Sequence, residues 1–138
     1  MEATVKSRVE SYGLTWAYEP AVARILIASL FLVAGLRKAM NWTATMAVFS
    51  KLGVPLVEVV LPLVVLLELA GGLMLVFGWR VRWVAYGPAA FTLVAGIIGH
   101  AFWNVDAAQF GNQLNHFLKN VAVCGGLIYL ASMTRRPA

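Results

Sequence analysis

Four long apolar runs, roughly 21–39, 57–79, 83–103 and 117–133, fill most of this chain. Each is close to the length a helix needs to cross the hydrocarbon layer of a bilayer. Backbone groups in lipid must pair internally, which a helix achieves and an open sheet does not. The runs therefore predict an all-α integral membrane protein, a four-transmembrane-helix antiparallel bundle. Its lipid bilayer is the first partner the sequence implies. Hydrophobic residues at 61% against 12% charged leave too little charge for a soluble globular surface. At 138 residues there is room for one domain, expected over 21–134.

The remaining N-terminal surface segment, 1–20, carries Val5, Val9, Tyr12 and Trp16 at spacings of three and four, with Lys6, Arg8 and Glu10 between them. That pattern predicts a short amphipathic helix lying on the membrane, although Gly13 interrupts it. The first run continues into Leu36-Arg37-Lys38, not into a small-residue cleavage site, so it is read as a retained span. The stretch 42–55, ending in Lys51, Gly53 and Pro55, reads as an interfacial helix and a turn. The tight turn 79–83 makes the second and third runs antiparallel neighbours, and Gly87-Pro88 predicts a kink. Asn104–Asn115, with Asp106, Gln109, Gly111, Asn112 and Gln113, reads as a polar loop. All five tryptophans (Trp16, Trp42, Trp79, Trp83 and Trp103) fall at the predicted boundaries between lipid and water.

The formal charge of +5 has a simple reading, because the basic residues sit at helix ends. Seven of the eleven (Lys6, Arg8, Arg24, Arg80, Arg82, Arg135 and Arg136) lie on the side holding both termini, against Arg37, Lys38, Lys51 and Lys119. That bias predicts cytoplasmic termini. No basic stripe interleaved with aromatics is present, so no nucleic-acid partner is expected. Cys124 is the single cysteine and lies inside the last run, which excludes an internal disulfide or a Cys-x-x-Cys redox pair. Gly-x-Ser-x-Gly, phosphate-binding glycine loops and clustered Cys/His spacings are absent, which argues against triad hydrolases, nucleotide enzymes and zinc enzymes of soluble type.

Ionisable residues inside such runs are costly and point to function. Glu68 is the deepest, about 16 Å into the second span at 1.5 Å per residue. A lipid-facing carboxylate there would be heavily penalised, so it is expected to face the bundle. His116, Lys119 and Asn120 share one helical face by their i, i+3, i+4 spacing, and His100, Trp103 and Asn104 repeat that spacing on the third span. With Lys38 at the end of the first span, all four helices can offer polar groups to one space. The plainer readings are a structural hydrogen-bond network and a Lys119 that snorkels to the interface.

These same residues carry a resemblance. Ala34-Gly35-Leu36-Arg37-Lys38, Leu67-Glu68-Leu69-Ala70-Gly71-Gly72, His100-Ala101-Phe102-Trp103 and His116-Phe117-Leu118-Lys119-Asn120 resemble the DoxX-like membrane proteins, over about Arg24 to Leu130. The resemblance implies a four-helix bundle in the bacterial cytoplasmic (inner) membrane. Some relatives are linked to quinone-coupled oxidation of sulfur compounds or to redox-stress complexes.

On that footing the first functional expectation is an accessory subunit of a redox system, with a quinone in a polar pocket near the outer face. Lys38, Glu68, His100, Trp103, His116, Lys119 and Asn120 are its candidate residues. His100 and His116 would contact the carbonyls or accept protons, Glu68 would relay them, and Lys38 or Lys119 would stabilise charge. Trp103 and Phe117 would line the slot. Such a chain is at most the membrane subunit of a quinone-linked oxidoreductase. It has no self-contained catalytic motif, so electrons would come from a partner subunit. Haem held by His100 and His116 is a lesser alternative. A non-catalytic assembly or scaffold protein and a small homo-oligomeric transporter are the others.

Overall fold

The computed structural model describes residues 18–134, and every regular element in that range is helical. Helix α1 spans Glu19–Met40, with Pro20 in its first turn, where the missing N–H would have had no partner. A short α2, Trp42–Lys51, leads through a turn with Gly53 (φ 74°) and Leu56 (φ 48°) into α3, Val57–Phe77. Helix α3 ends on left-handed Gly78 (φ 72°), and the Trp79 N–H returns to the Met74 carbonyl at 2.9 Å. One turn of α4, Val81–Val84, precedes α5, Tyr86–Gly99. A single 3-10 turn, Phe102–Asn104, then leads to α6, Ala107–Met133. Among the described residues four segments are long and apolar enough to cross a membrane: Glu19–Met40, Val57–Phe77, Val81–Asn104 and Ala107–Met133. The chain is thus a four-helix membrane bundle. The segment around Val5, Val9, Tyr12 and Trp16, and the pair Arg135-Arg136, lie outside the described residues.

Three local expectations change. The polar stretch 104–115 is helical from Ala107, because Asp106 accepts the Gln109 N–H at 3.0 Å and caps α6. A cap of this kind is worth about 1 kcal/mol. The irregularity expected at Gly87-Pro88 appears as a break at Ala85, three residues before a proline that has no N–H to return to Val84. The His100, Trp103 and Asn104 spacing does not make a shared helical face. Helix α5 stops at Gly99, His100 adopts φ −133° and ψ 51°, and the Phe102 N–H bonds the His100 carbonyl at 2.8 Å.

Two tight helix pairs make up the bundle. Helices α1 and α3 approach closely at Gly35, where a Cβ would lie 3.0 Å from the Glu68 Cβ, and at Gly72, where it would meet the Leu32 side chain at 2.8 Å. Small residues allow such contact where lipid supplies no hydrophobic driving force. Helices α5 and α6 form the other pair, with Gly96 against Asn120. Gly72 and Gly126, each the middle residue of a Gly-Gly-Leu triplet (71–73 and 125–127), both abut α1.

At the end where α1 begins and α6 finishes, Ala28, Leu75, Ala85, Leu127 and Leu130 are buried in one cluster. There the Arg24 guanidinium donates from Nε to the Leu75 carbonyl at 3.1 Å, a second bond to an oxygen that also accepts the Gly78 N–H at 3.2 Å in the last turn of α3. Leu26, Leu63, Leu66 and Phe77 are more than half exposed, as a lipid-facing surface requires. The opposite half of the bundle is hollow.

Candidate functional site

Between the two helix pairs, at the end away from the start of α1, lies a cavity of about 400 Å³. That is within the usual range for a small-molecule site. Its walls are mostly apolar: Phe31 and Ala34 of α1, Val60 and Val64 of α3, Phe91 and Ile98 of α5. Phe49 of α2, with Leu52 and Val54 just after it, closes a further side. Into this apolar space project Lys38, Glu68, Thr92, His100, Lys119 and Asn120.

The deepest polar element is an ion pair. Lys38 Nζ donates to Glu68 Oε1 at 2.7 Å and to Oε2 at 3.0 Å. Gly35 makes it possible: with no side chain there, α1 lies against the Glu68 Cβ, and Lys38, one turn further on, reaches both oxygens. The partners differ in burial, the Glu68 side chain being 3% exposed and that of Lys38 23%. Glu68 depends wholly on its lysine for solvation, whereas Lys38 keeps some access to water.

Near the cavity mouth the two histidines stack, ring centroids 4.9 Å apart and planes inclined by 19°. The Gln113 carbonyl oxygen lies 2.9 Å from His100 Nδ1, which therefore carries a proton and leaves Nε2 as an acceptor when the ring is neutral. Lys119 Nζ donates to His116 Nδ1 at 3.2 Å, so His116 holds its proton on Nε2. Axial ligands of a haem aim ring nitrogens at one iron along a common line. Here the ring faces oppose each other, and the pair does not fit that role. Among the described residues no group of three or more His, Cys, Asp or Glu is placed to hold a metal ion.

The candidates thus separate. Lys38, Glu68, His100, Lys119 and Asn120 meet at the cavity. His116 stands behind His100 and touches the site through it. Trp103 is 58% exposed and does not line the cavity. It joins Phe102 (5.0 Å) and Phe117 (6.1 Å) in an aromatic cluster beside the histidines. Unwinding at His100 is what turns Trp103 away.

Sequence reasoning missed Phe49, Leu52 and Val54, whose 42–55 stretch shows apolar residues without revealing which neighbour they face. It also missed Gln113, although its place three residues before His116 was a usable signal. Thr92, a lone hydroxyl in an apolar run, was the least visible.

Comparison with known proteins gives a consistent result. The family model described as DoxX matches residues 20–101. The inner membrane protein YqjF of Escherichia coli (strain K12) is 39% identical over 110 residues, covering 80% of this chain and 79% of its own. The inner membrane protein YphA of the same organism is 28% identical over 110 residues, with the same shares covered. No solved structure matches.

Proposed function

This chain belongs to the DoxX family of membrane proteins, and we propose that its cavity binds the head group of a quinone, as the membrane-embedded accessory subunit of a redox system. The observation that carries this reading is an apolar space of about 400 Å³ into which all the long helices send hydrogen-bonding groups. A quinone supplies two-electron, two-proton chemistry when bound. The Lys38 ammonium uses two N–H groups on Glu68 and keeps a third for a carbonyl oxygen. His100 Nε2 is free to take a proton at the mouth, and the His116 ring packed on it holds it in place. The electrons would come from a partner subunit.

With the relatives named as inner membrane proteins, the chain is assigned to a bacterial inner membrane. The basic bias puts both termini in the cytoplasm and the cavity towards the periplasmic face. A reporter active only in the cytoplasm, fused after Ala138, is expected to be active. Activity instead from a reporter that works only in the periplasm would reverse the assignment.

The direct test is to purify the protein in mild detergent and extract bound lipids for mass spectrometry. A stoichiometric quinone is expected from the wild type, and its loss from Glu68→Gln. A second reading, as a non-catalytic assembly protein, is favoured by one observation: the Lys38–Glu68 pair satisfies itself while bridging α1 and α3. Quinone-free wild type with full assembly of a co-purifying complex would select that reading.

A further inference from the structure

Glu68 and Thr92 are the two buried polar side chains among the described residues, at 3% and 4% exposure, and both lie on the wall of the same cavity. Their situations differ. Glu68 has Lys38 on both oxygens, whereas Thr92 Oγ1 has no hydrogen-bond partner. A threonine hydroxyl in a helix commonly bonds the carbonyl three or four residues back, and Thr92 does not. Buried hydroxyls left unbonded are rare in native proteins, and each calls for an explanation. Its neighbours on the cavity wall, Phe91, Val94 and Ala95, offer no acceptor side chain.

We infer that the Thr92 hydroxyl is a binding-site donor to an oxygen of the cavity's occupant, a second polar anchor besides Lys38. This rests on the reading of the cavity as a quinone site and narrows it. Lys38 and Thr92 stand on separate helices, α1 and α5, with Lys119 and Asn120 of α6 on a third side, which suits a ligand with two acceptor oxygens on an otherwise apolar ring. An isoprenoid alcohol has one hydroxyl oxygen and leaves one anchor unused. Thr92 is then a selectivity residue: it favours a ring bearing two carbonyls over a single-headed lipid of equal size.

The test uses decylubiquinone as the probe and the detergent-purified full chain, with binding measured by ultrafiltration and absorbance. Thr92→Val keeps the side-chain shape and removes the hydroxyl; Thr92→Ser keeps the hydroxyl. The expected result is binding about tenfold weaker in Thr92→Val, the size of one lost hydrogen bond. Thr92→Ser should bind like wild type. Without ligand, Thr92→Val should melt at or above the wild-type temperature, because an unbonded buried hydroxyl has been removed. Equal binding by wild type and Thr92→Val overturns the inference while leaving the quinone site standing. So does a Thr92→Val that melts lower without ligand, since the hydroxyl would then hold the fold. A wild type that binds no decylubiquinone removes the quinone reading and this inference together.

Discussion

Lys38→Met is expected to destabilise the bundle by about 3–5 kcal/mol, the cost of leaving one member of a buried ion pair without its partner. The difference in burial sets the direction of a further asymmetry. Glu68 is 3% exposed and cannot turn to water, whereas Lys38 at 23% can withdraw towards the interface. Glu68→Gln alone should therefore cost clearly less than Lys38→Met. The double variant Lys38→Met/Glu68→Gln should recover most of what Lys38→Met loses. Thermal unfolding of the four proteins in one detergent measures all of this. A Lys38→Met protein as stable as wild type would mean that the pair contributes nothing to holding α1 on α3. Because Glu68→Gln is the milder change, it is also the variant in which loss of a ligand is not confused with loss of the fold.

The second large effect is expected at Gly35. A Cβ there lies 3.0 Å from the Glu68 Cβ, an atom fixed to the α3 backbone, so no rotamer change relieves the contact. Gly35→Val must push the helices apart, at about 3 kcal/mol on the scale of overpacked interiors. Separation also draws Lys38 away from the carboxylate. Gly35→Val and Lys38→Met should consequently be less than additive, as substitutions sharing one contact are. Gly72→Ala is the control, because the first atoms it meets belong to the flexible end of Leu32. It should cost less than Gly35→Val. Melting temperatures and the folded fraction on size exclusion report the difference, and a Gly35→Val protein with wild-type melting would show that the close approach is not needed.

The sequence makes the class and the number of spans legible because the bilayer imposes both through length and hydropathy. Glu68 announces itself by depth alone, and its expected turn into the bundle agrees with its burial. What periodicity cannot supply is the rotation of one helix against another. Spacing groups His116 with Lys119 and Asn120, but in the fold His116 faces the His100 ring while Asn120 packs on Gly96. The same spacing suggested that Trp103 follows His100, and a change of backbone angle at His100 undid it. The stretch 104–115 misled for another reason. Its polar composition suits a loop, yet Asp106 supplies the cap that starts a helix, and composition carries no information about one well-placed acceptor. Thr92 stayed hidden because its significance lies in a bond it does not make.

That early start of α6 has a geometric outcome. At 27 residues the helix is about 40 Å long, whereas α1 and α3, at 22 and 21 residues, are about as long as the hydrocarbon layer is thick. The roughly 10 Å by which α6 exceeds them is taken up by tilt or by exposure beyond the hydrocarbon layer, and its polar first two turns, with Gln109, Asn112 and Gln113, suit the exposed end. His116 follows those turns on the same helix and stacks on His100 beside the cavity. Were the cavity to exchange protons, the stacked rings next to that polar end would give the shortest route to water.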